Sequence, residues 1–170
     1  MSVPSGQSLG LILRLVLSLF LSLFFVDKSY SYQDVDTWRA RVNTGFNNFI
    51  AGAASSQGLI GGTINFQFRE DLETGVEVNF GGNFSEFSFV LNDFLNKNYW
   101  VGLFIGPASE NKASGLCWGP HAGYDYFLNP TQSLGMEFQY GFVQFSEGIN
   151  KGQNANASFV NFLMNFSQRF

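Results

Sequence analysis

His121 is the one histidine of this 170-residue chain and Cys117 its one cysteine, so acid–base or nucleophilic chemistry has very few groups to pass through. A carboxylate four residues on, Asp125, is the first candidate to orient the imidazole. In an extended strand that spacing covers roughly 13 Å, too far for a direct hydrogen bond. One histidine and one cysteine among scattered carboxylates give no metal-ligand spacing, and no cofactor is implied. A lone cysteine also leaves no internal disulfide. What the spacing does gather is charge. Arg39, Arg41, Arg69, Glu77, Asp125, Glu137 and Arg169 each sit on the polar side of a segment in which apolar and polar residues alternate. Charges so placed do electrostatic work, and the elements carrying them decide what kind.

Those elements read as strands. From Trp38 onward the period is two, the mark of a strand with two different faces. Trp38 to Ile50 sets Trp38, Ala40, Val42, Thr44 and Phe46 against Arg39, Arg41, Asn43, Gly45 and Asn47. After a Gly/Ser-rich link, Ala51 to Gly58, the run Leu59 to Arg69 sets Ile64, Phe66 and Phe68 against Thr63, Asn65, Gln67 and Arg69. Glu70 to Thr74 reads as an acidic turn. A third run puts Val76, Val78, Phe80 and Phe84 opposite Glu77, Asn79, Gly81 and Asn83, and a short fourth sets Phe87, Phe89 and Leu91 against Ser88 and Val90. Asn92 to Asn98 leads into a fifth run, Tyr99 to Gly106, apolar on both faces. Pro107 to Gly119 reads as a loop, with Pro120 delaying the sixth strand to His121. That strand sets Tyr124, Tyr126 and Leu128 against His121, Gly123 and Asp125. An Asn-Pro turn, Asn129 to Ser133, leads to Leu134, Met136, Phe138, Tyr140 and Phe142 facing away from Gly135, Glu137, Gln139 and Gly141. The polar stretch Ser146 to Ala157 reads as a loop. The last run sets Val160, Phe162, Met164 and Phe166 against Asn161, Leu163, Asn165, Ser167 and Arg169.

The front of the chain is different. Leu9 to Val26 is an apolar stretch behind a single positive charge, Arg14, and is followed by Ser29-Tyr30-Ser31. This is the order of a secretory signal peptide, with small residues where a signal peptidase reads and cleavage expected after Ser31. Residues 1–31 are therefore set aside from the fold, 32–37 form a short lead, and 38–170 form one domain.

Composition narrows the environment. Charged residues make up 13% of the chain, about half of what a water-soluble surface carries, while aromatics reach 18%. Beyond the leader no apolar run is long enough for a membrane helix. Low charge, alternation and eight runs together suit an all-β fold: an eight-stranded antiparallel transmembrane up-and-down β-barrel, apolar towards lipid and polar within. Eight strands of about ten residues need roughly 80 residues, which the mature chain supplies with loops to spare. The net charge of −4 argues against a nucleic-acid partner.

The polar face identifies the inside. A soluble barrel would carry many Lys and Glu there, whereas here Gly, Asn, Ser, Thr and Gln dominate. Turned inward, the seven charges can pair across a lumen too narrow to be a pore. The phase of the fifth run is ambiguous, and Gly102 and Gly106 suggest the lumen side, which would leave Trp100 and Phe104 inside. A turn pairing Leu128 with Leu134 would set Asp125 opposite Glu137, with Arg39, Arg41 and Arg169 arriving as strand 8 closes on strand 1. The expectation is a lumenal ion-pair network that plugs the barrel. Links after strands 2, 4 and 6 read as short and those after 1, 5 and 7 as longer, the brief third-to-fourth link being the exception, so the short side, with both mature termini, is expected in the periplasm.

The chain resembles the OmpA/OmpX-like class of small outer-membrane barrels over Trp38 to Phe170. The resemblance rests on the terminal Phe170 preceded by Phe166, Met164, Phe162 and Val160, on the hairpin from Ala122 to Phe142, and on Trp38, Tyr99, Trp118 and Tyr126 at strand ends. Gln168 departs from the usual apolar residue. The resemblance implies a Gram-negative outer-membrane location, contact with outer-membrane lipid and lipopolysaccharide, and a monomer. It also implies that the barrel-assembly machinery reads the last strand through Phe170, Phe166, Met164 and Phe162. Some eight-stranded barrels are lipid A deacylases or palmitoyltransferases. The deacylase pattern His-x-Ser is broken here by Gly123, and His121 falls on the lumen side, so a structural or surface-interaction role is the expectation and a lipid A-modifying enzyme the alternative. The loops presented would be Ala51 to Gly58, Pro107 to Pro120 and Ser146 to Ala157.

Overall fold

A computed structural model describes residues 35–51, 56–147 and 155–170. The expected leader and its cleavage point at Ser31 lie outside the described residues. Eight strands follow in order: β1 Thr37–Ala51, β2 Gln57–Arg69, β3 Leu72–Gly81, β4 Phe84–Phe94, β5 Tyr99–Glu110, β6 Ala113–Phe127, β7 Gln132–Glu147 and β8 Asn156–Arg169. Each pairs antiparallel with the next, and β8 returns to β1 to close the barrel.

Burial is inverted relative to a water-soluble domain. Val42, Ile60, Ile64, Phe89, Leu103, Met136, Phe138 and Met164 project outward and are exposed, while Asn43, Asn65, Glu77 and Gln139 are sealed inside. Along β7 the outward row Leu134, Met136, Phe138, Tyr140 and Phe142 spans about 27 Å of strand. At the tilt usual for such barrels, about 40°, this is an apolar belt about 20 Å tall. Trp38, Tyr99 and Tyr126 lie exposed at the end of the barrel where β1 begins and β8 finishes. In the fifth strand Trp100 and Phe104 are inside, as Gly102 and Gly106 suggested.

Several sequence expectations are corrected, most of them at strand ends. The segment from Pro107 to Gly119 is strand rather than loop, and Pro120 delays nothing: β5 continues to Glu110 and β6 begins at Ala113. Both prolines face outward. The β4–β5 ladder keeps one register but has a gap between Glu86↔Ala108 and Phe89↔Ile105, at Pro107, and the β6–β7 ladder has one between Trp118↔Phe142 and His121↔Gln139, at Pro120. Each proline sits where the ladder needs no N–H from it. Only Asn111 and Lys112 link the two strands, both at positive φ (48° and 71°) as a two-residue I′ hairpin requires.

Phe84 opens β4 and points into the lumen instead of closing the third run on the outer face. The reversal falls at Gly82, whose φ of 46° suits a residue without a side chain. The acidic turn is shorter than expected, so β3 already begins at Leu72 and Glu73 is a strand residue. Finally, Tyr126 pairs with Leu134 and Asp125 with Gly135, which moves Glu137 opposite Gly123. The third-to-fourth link, Gly82–Asn83, is brief as expected, and with Asn111–Lys112 also a two-residue link the contrast between a short-turn side and a long-loop side is smaller than the sequence suggested.

Candidate functional site

The alternation of β1 turns Arg39 and Arg41 into the lumen, where they meet carboxylates from three other strands. Arg39 donates to Glu73 of β3 and, through Nη1 at 2.7 Å, to Asp125 of β6. Arg41 Nη2 lies 3.5 Å from both Glu73 and Asp125, and its Nη1 3.6 Å from Glu137 of β7. All five side chains are buried. Asn65 and Asn92 complete the shell of Glu73, donating to its Oε1 at 2.9 and 2.7 Å.

Neutral donors extend the network upward. Glu137 Oε1 accepts from Gln139 at 2.9 Å and lies 2.8 Å from His121 Nδ1. Gln139 also donates to Glu77 at 2.6 Å, and Glu77 takes further hydrogen bonds from Thr63 and Asn79. Asn161 of β8 donates to Gln139, and Asn47 of β1 donates to Asn161. Nearer the hairpin tips, Glu86 accepts from Ser88 at 2.5 Å, with Cys117 Sγ 3.7 Å away. Above that the lumen is apolar, filled by Phe49, Leu59, Phe84, Phe104, Val143 and Phe159.

Two aromatic rings lock into backbone notches. The Trp100 indole rests on Gly123, and the Phe159 ring on Gly141; in either place a Cβ would overlap the ring. The Arg41 guanidinium lies 4.7 Å from the Trp100 ring centroid, and His121 meets the same indole edge-on at 5.0 Å. Cation, aromatic ring and imidazole thus form one packed unit beside Glu137.

Of the seven charges expected inside, the structure brings Arg39, Arg41, Glu77, Asp125 and Glu137 together. Arg169 stands at the rim, half-buried, with its guanidinium 5.1 Å from the Phe127 ring centroid. Arg69 is corrected: it lies outside the lumen, its side chain 63% exposed and paired with Asp71 at 2.7 Å. A register shift between Gln67 and Arg69 takes it off the inward face. The carboxylate pair expected from the hairpin register is replaced by two acids that share Arg41, Asp125 being served by Arg39 as well and Glu137 by His121. Sequence reasoning missed Glu73 and Glu86. Glu73 shares the phase of Glu77 and Asn79, a signal concealed by the turn-like composition of Glu70 to Thr74. Glu86 shares the phase of Ser88 and Val90.

His121 Nε2, the atom a base would use, faces Gly102 inside the barrel and has no hydrogen-bond partner. Among the described residues no group of three or more His, Cys, Asp or Glu is arranged to hold a metal ion. Of the residues expected to form the assembly signal, Met164, Phe166 and Phe170 are exposed on the outer face and Phe162 is partly so. Phe170 exchanges backbone hydrogen bonds with Trp38, its N–H donating at 2.9 Å and its carbonyl accepting at 3.3 Å.

No protein-family model and no curated protein sequence matches the chain. Solved structures do. The crystal structure of Neisserial surface protein A aligns with a TM-score of 0.54 at 14% identity, covering 79% of this chain and 96% of that one. Outer membrane protein OprG from Pseudomonas aeruginosa aligns at 0.48 and 11% identity over 84% of this chain and 99% of its own. The closed eight-stranded antiparallel barrel described above is thus the fold of a small outer-membrane barrel.

Proposed function

We propose that this chain is a structural and surface-interaction protein of the Gram-negative outer membrane. In this reading it is a monomeric barrel with both mature termini in the periplasm and a lumen closed to ions. The observation that carries it is the contact of Arg39 and Arg41 with Glu73, Asp125 and Glu137, which ties β1, β3, β6 and β7 together across the axis. Removing either side of such a buried set leaves an unpaired charge, worth about 3–5 kcal/mol, so the set holds itself shut. The apolar belt supports contact with outer-membrane lipid and lipopolysaccharide. The outward row of β8 gives the barrel-assembly machinery an accessible final strand.

Lipid A-modifying chemistry is the disfavoured alternative, because His121 is turned away from the lipid and committed through Nδ1 to Glu137. The test is conductance across a planar bilayer together with mass spectra of lipid A from cells with and without the protein. A silent bilayer and unchanged lipid A are expected. Stable conductance steps would overturn the closed lumen, and a protein-dependent change in acylation would overturn the structural role.

A further inference from the structure

The outer wall is not uniformly filled. Where β3 to β6 approach their hairpin tips, a recess of about 320 Å³ opens on the lipid-facing side between Phe80, Phe87 and Pro107, with Val78 at its base. Its tip-side rim carries three hydroxyls, Ser85, Ser109 and Ser114. Ser85 and Ser109 lie 2.8 Å apart and hydrogen-bond to each other. A second recess of about 430 Å³ shares Phe80 and Ser85 with the first and runs on past Ile60. Phe80 therefore borders both recesses, the second of which is closed by the Gly81–Asn83 turn. Just beyond them the two hairpin tips touch, Asn111 N–H donating to the Asn83 carbonyl at 3.2 Å, and Lys112 is exposed there. Among the described residues no ion pair engages Lys112.

We infer that the paired recesses bind the acyl chains of one lipid A molecule, with the serine hydroxyls and Lys112 meeting its hydroxyacyl and phosphate groups. Two recesses bordered by one ring suit a lipid with several chains close together, and a continuous apolar belt is already the surface that lipid covers. Hydroxyls at the chain–headgroup boundary match ester and 3-hydroxyl oxygens, which a plain hydrocarbon wall would leave unsatisfied. A lysine at the tip supplies a cation at headgroup height. The choice of lipid A over a phospholipid rests on the proposed orientation, which puts these tips in the outer leaflet.

The experiment uses the full chain, expressed to the outer membrane, extracted in mild detergent and examined by native mass spectrometry for retained lipid. Wild type should keep one lipid A. Ser109→Phe, which fills the first recess, and Lys112→Glu, which reverses the tip charge, should each lower retention at least tenfold, while Lys112→Arg keeps it. Heat-modifiable migration confirms that each variant is folded, and the Lys112 variants carry the test if Ser109→Phe does not fold. Retention unchanged in Lys112→Glu, or lipid A displaced by an equal concentration of phosphatidylethanolamine, overturns the inference. Labelling of Lys112→Cys by a membrane-impermeant maleimide on intact cells checks the orientation separately. Without labelling the orientation fails and the lipid assignment with it; with labelling and unchanged retention only the lipid site fails.

Discussion

Trp100 of β5 and Gly123 of β6 are paired across the ladder, and the indole occupies the volume a side chain at Gly123 would take. The glycine is the seat on which the ring, and with it Arg41, is positioned. Gly123→Ala should push the indole off its rotamer and lower stability by about 1–3 kcal/mol, read as an earlier urea midpoint in detergent. Combining it with Trp100→Ala should be non-additive, because the clash vanishes with the ring. Additive effects would show that the two residues do not share one seat.

Glu73 should matter more than any other lumenal acid. It contacts both arginines and accepts from two asparagines, whereas Glu137 shares Arg41 with two other carboxylates. Glu73→Gln should therefore cost about 3–5 kcal/mol, and Glu137→Gln distinctly less. Thermal unfolding in detergent, followed by the gel shift of the heat-modified form, gives the ranking. A Glu137→Gln effect equal to or above that of Glu73→Gln would contradict the geometry.

Arg69 provides the matching control. Its exposed pair with Asp71 is of the kind worth about 0–1 kcal/mol, so Arg69→Gln should leave the unfolding midpoint within about 0.5 kcal/mol of wild type. A large loss would mean that Arg69 reaches the lumen after all.

What could be read in advance follows from what sets each feature. Alternation is written residue by residue, so the inward placement of Arg39, Arg41, Glu77, Asp125 and Glu137 was legible before any coordinates. The buried side of Trp100 was only suggested, through Gly102 and Gly106, because both faces of its run are apolar. Strand ends are decided by turn geometry and pairing. Pro107, Gly115, Gly119 and Pro120 have loop-like identities, yet they lie within β5 and β6 because each proline occupies a gap in its ladder and the glycines admit the neighbouring strand. Register depends on how long a turn is, and a two-residue error there set Asp125 against Glu137 and hid the bond between His121 and Glu137. Glu73 was lost for the same reason, since its phase was visible but its strand was begun too late.

Cys117 offers a direct probe of the lumen proposed to be closed. Its sulfur faces inward with no exposed surface, 3.2 Å from the Gly106 carbonyl. A maleimide should leave the folded barrel unlabelled and react only across the unfolding transition, so labelling and gel shift should share one midpoint. Rapid labelling of the folded form would reveal a lumen open to small molecules.

Phe170 separates folding from assembly. Its ring is 72% exposed and adds little to packing within the chain, while its backbone closes the β1–β8 seam through Trp38. Both backbone hydrogen bonds survive replacement of the ring by a methyl group. Phe170→Ala should therefore refold in detergent with a midpoint within about 1 kcal/mol of wild type, as expected for a substitution away from the core. If the ring is what the assembly machinery reads, the same variant should reach the outer membrane of cells at a level several-fold lower. Quantifying folded barrel in outer-membrane fractions beside the in vitro midpoint distinguishes the two. Equal losses in both would make Phe170 a packing residue, and no loss in cells would remove it from the assembly signal.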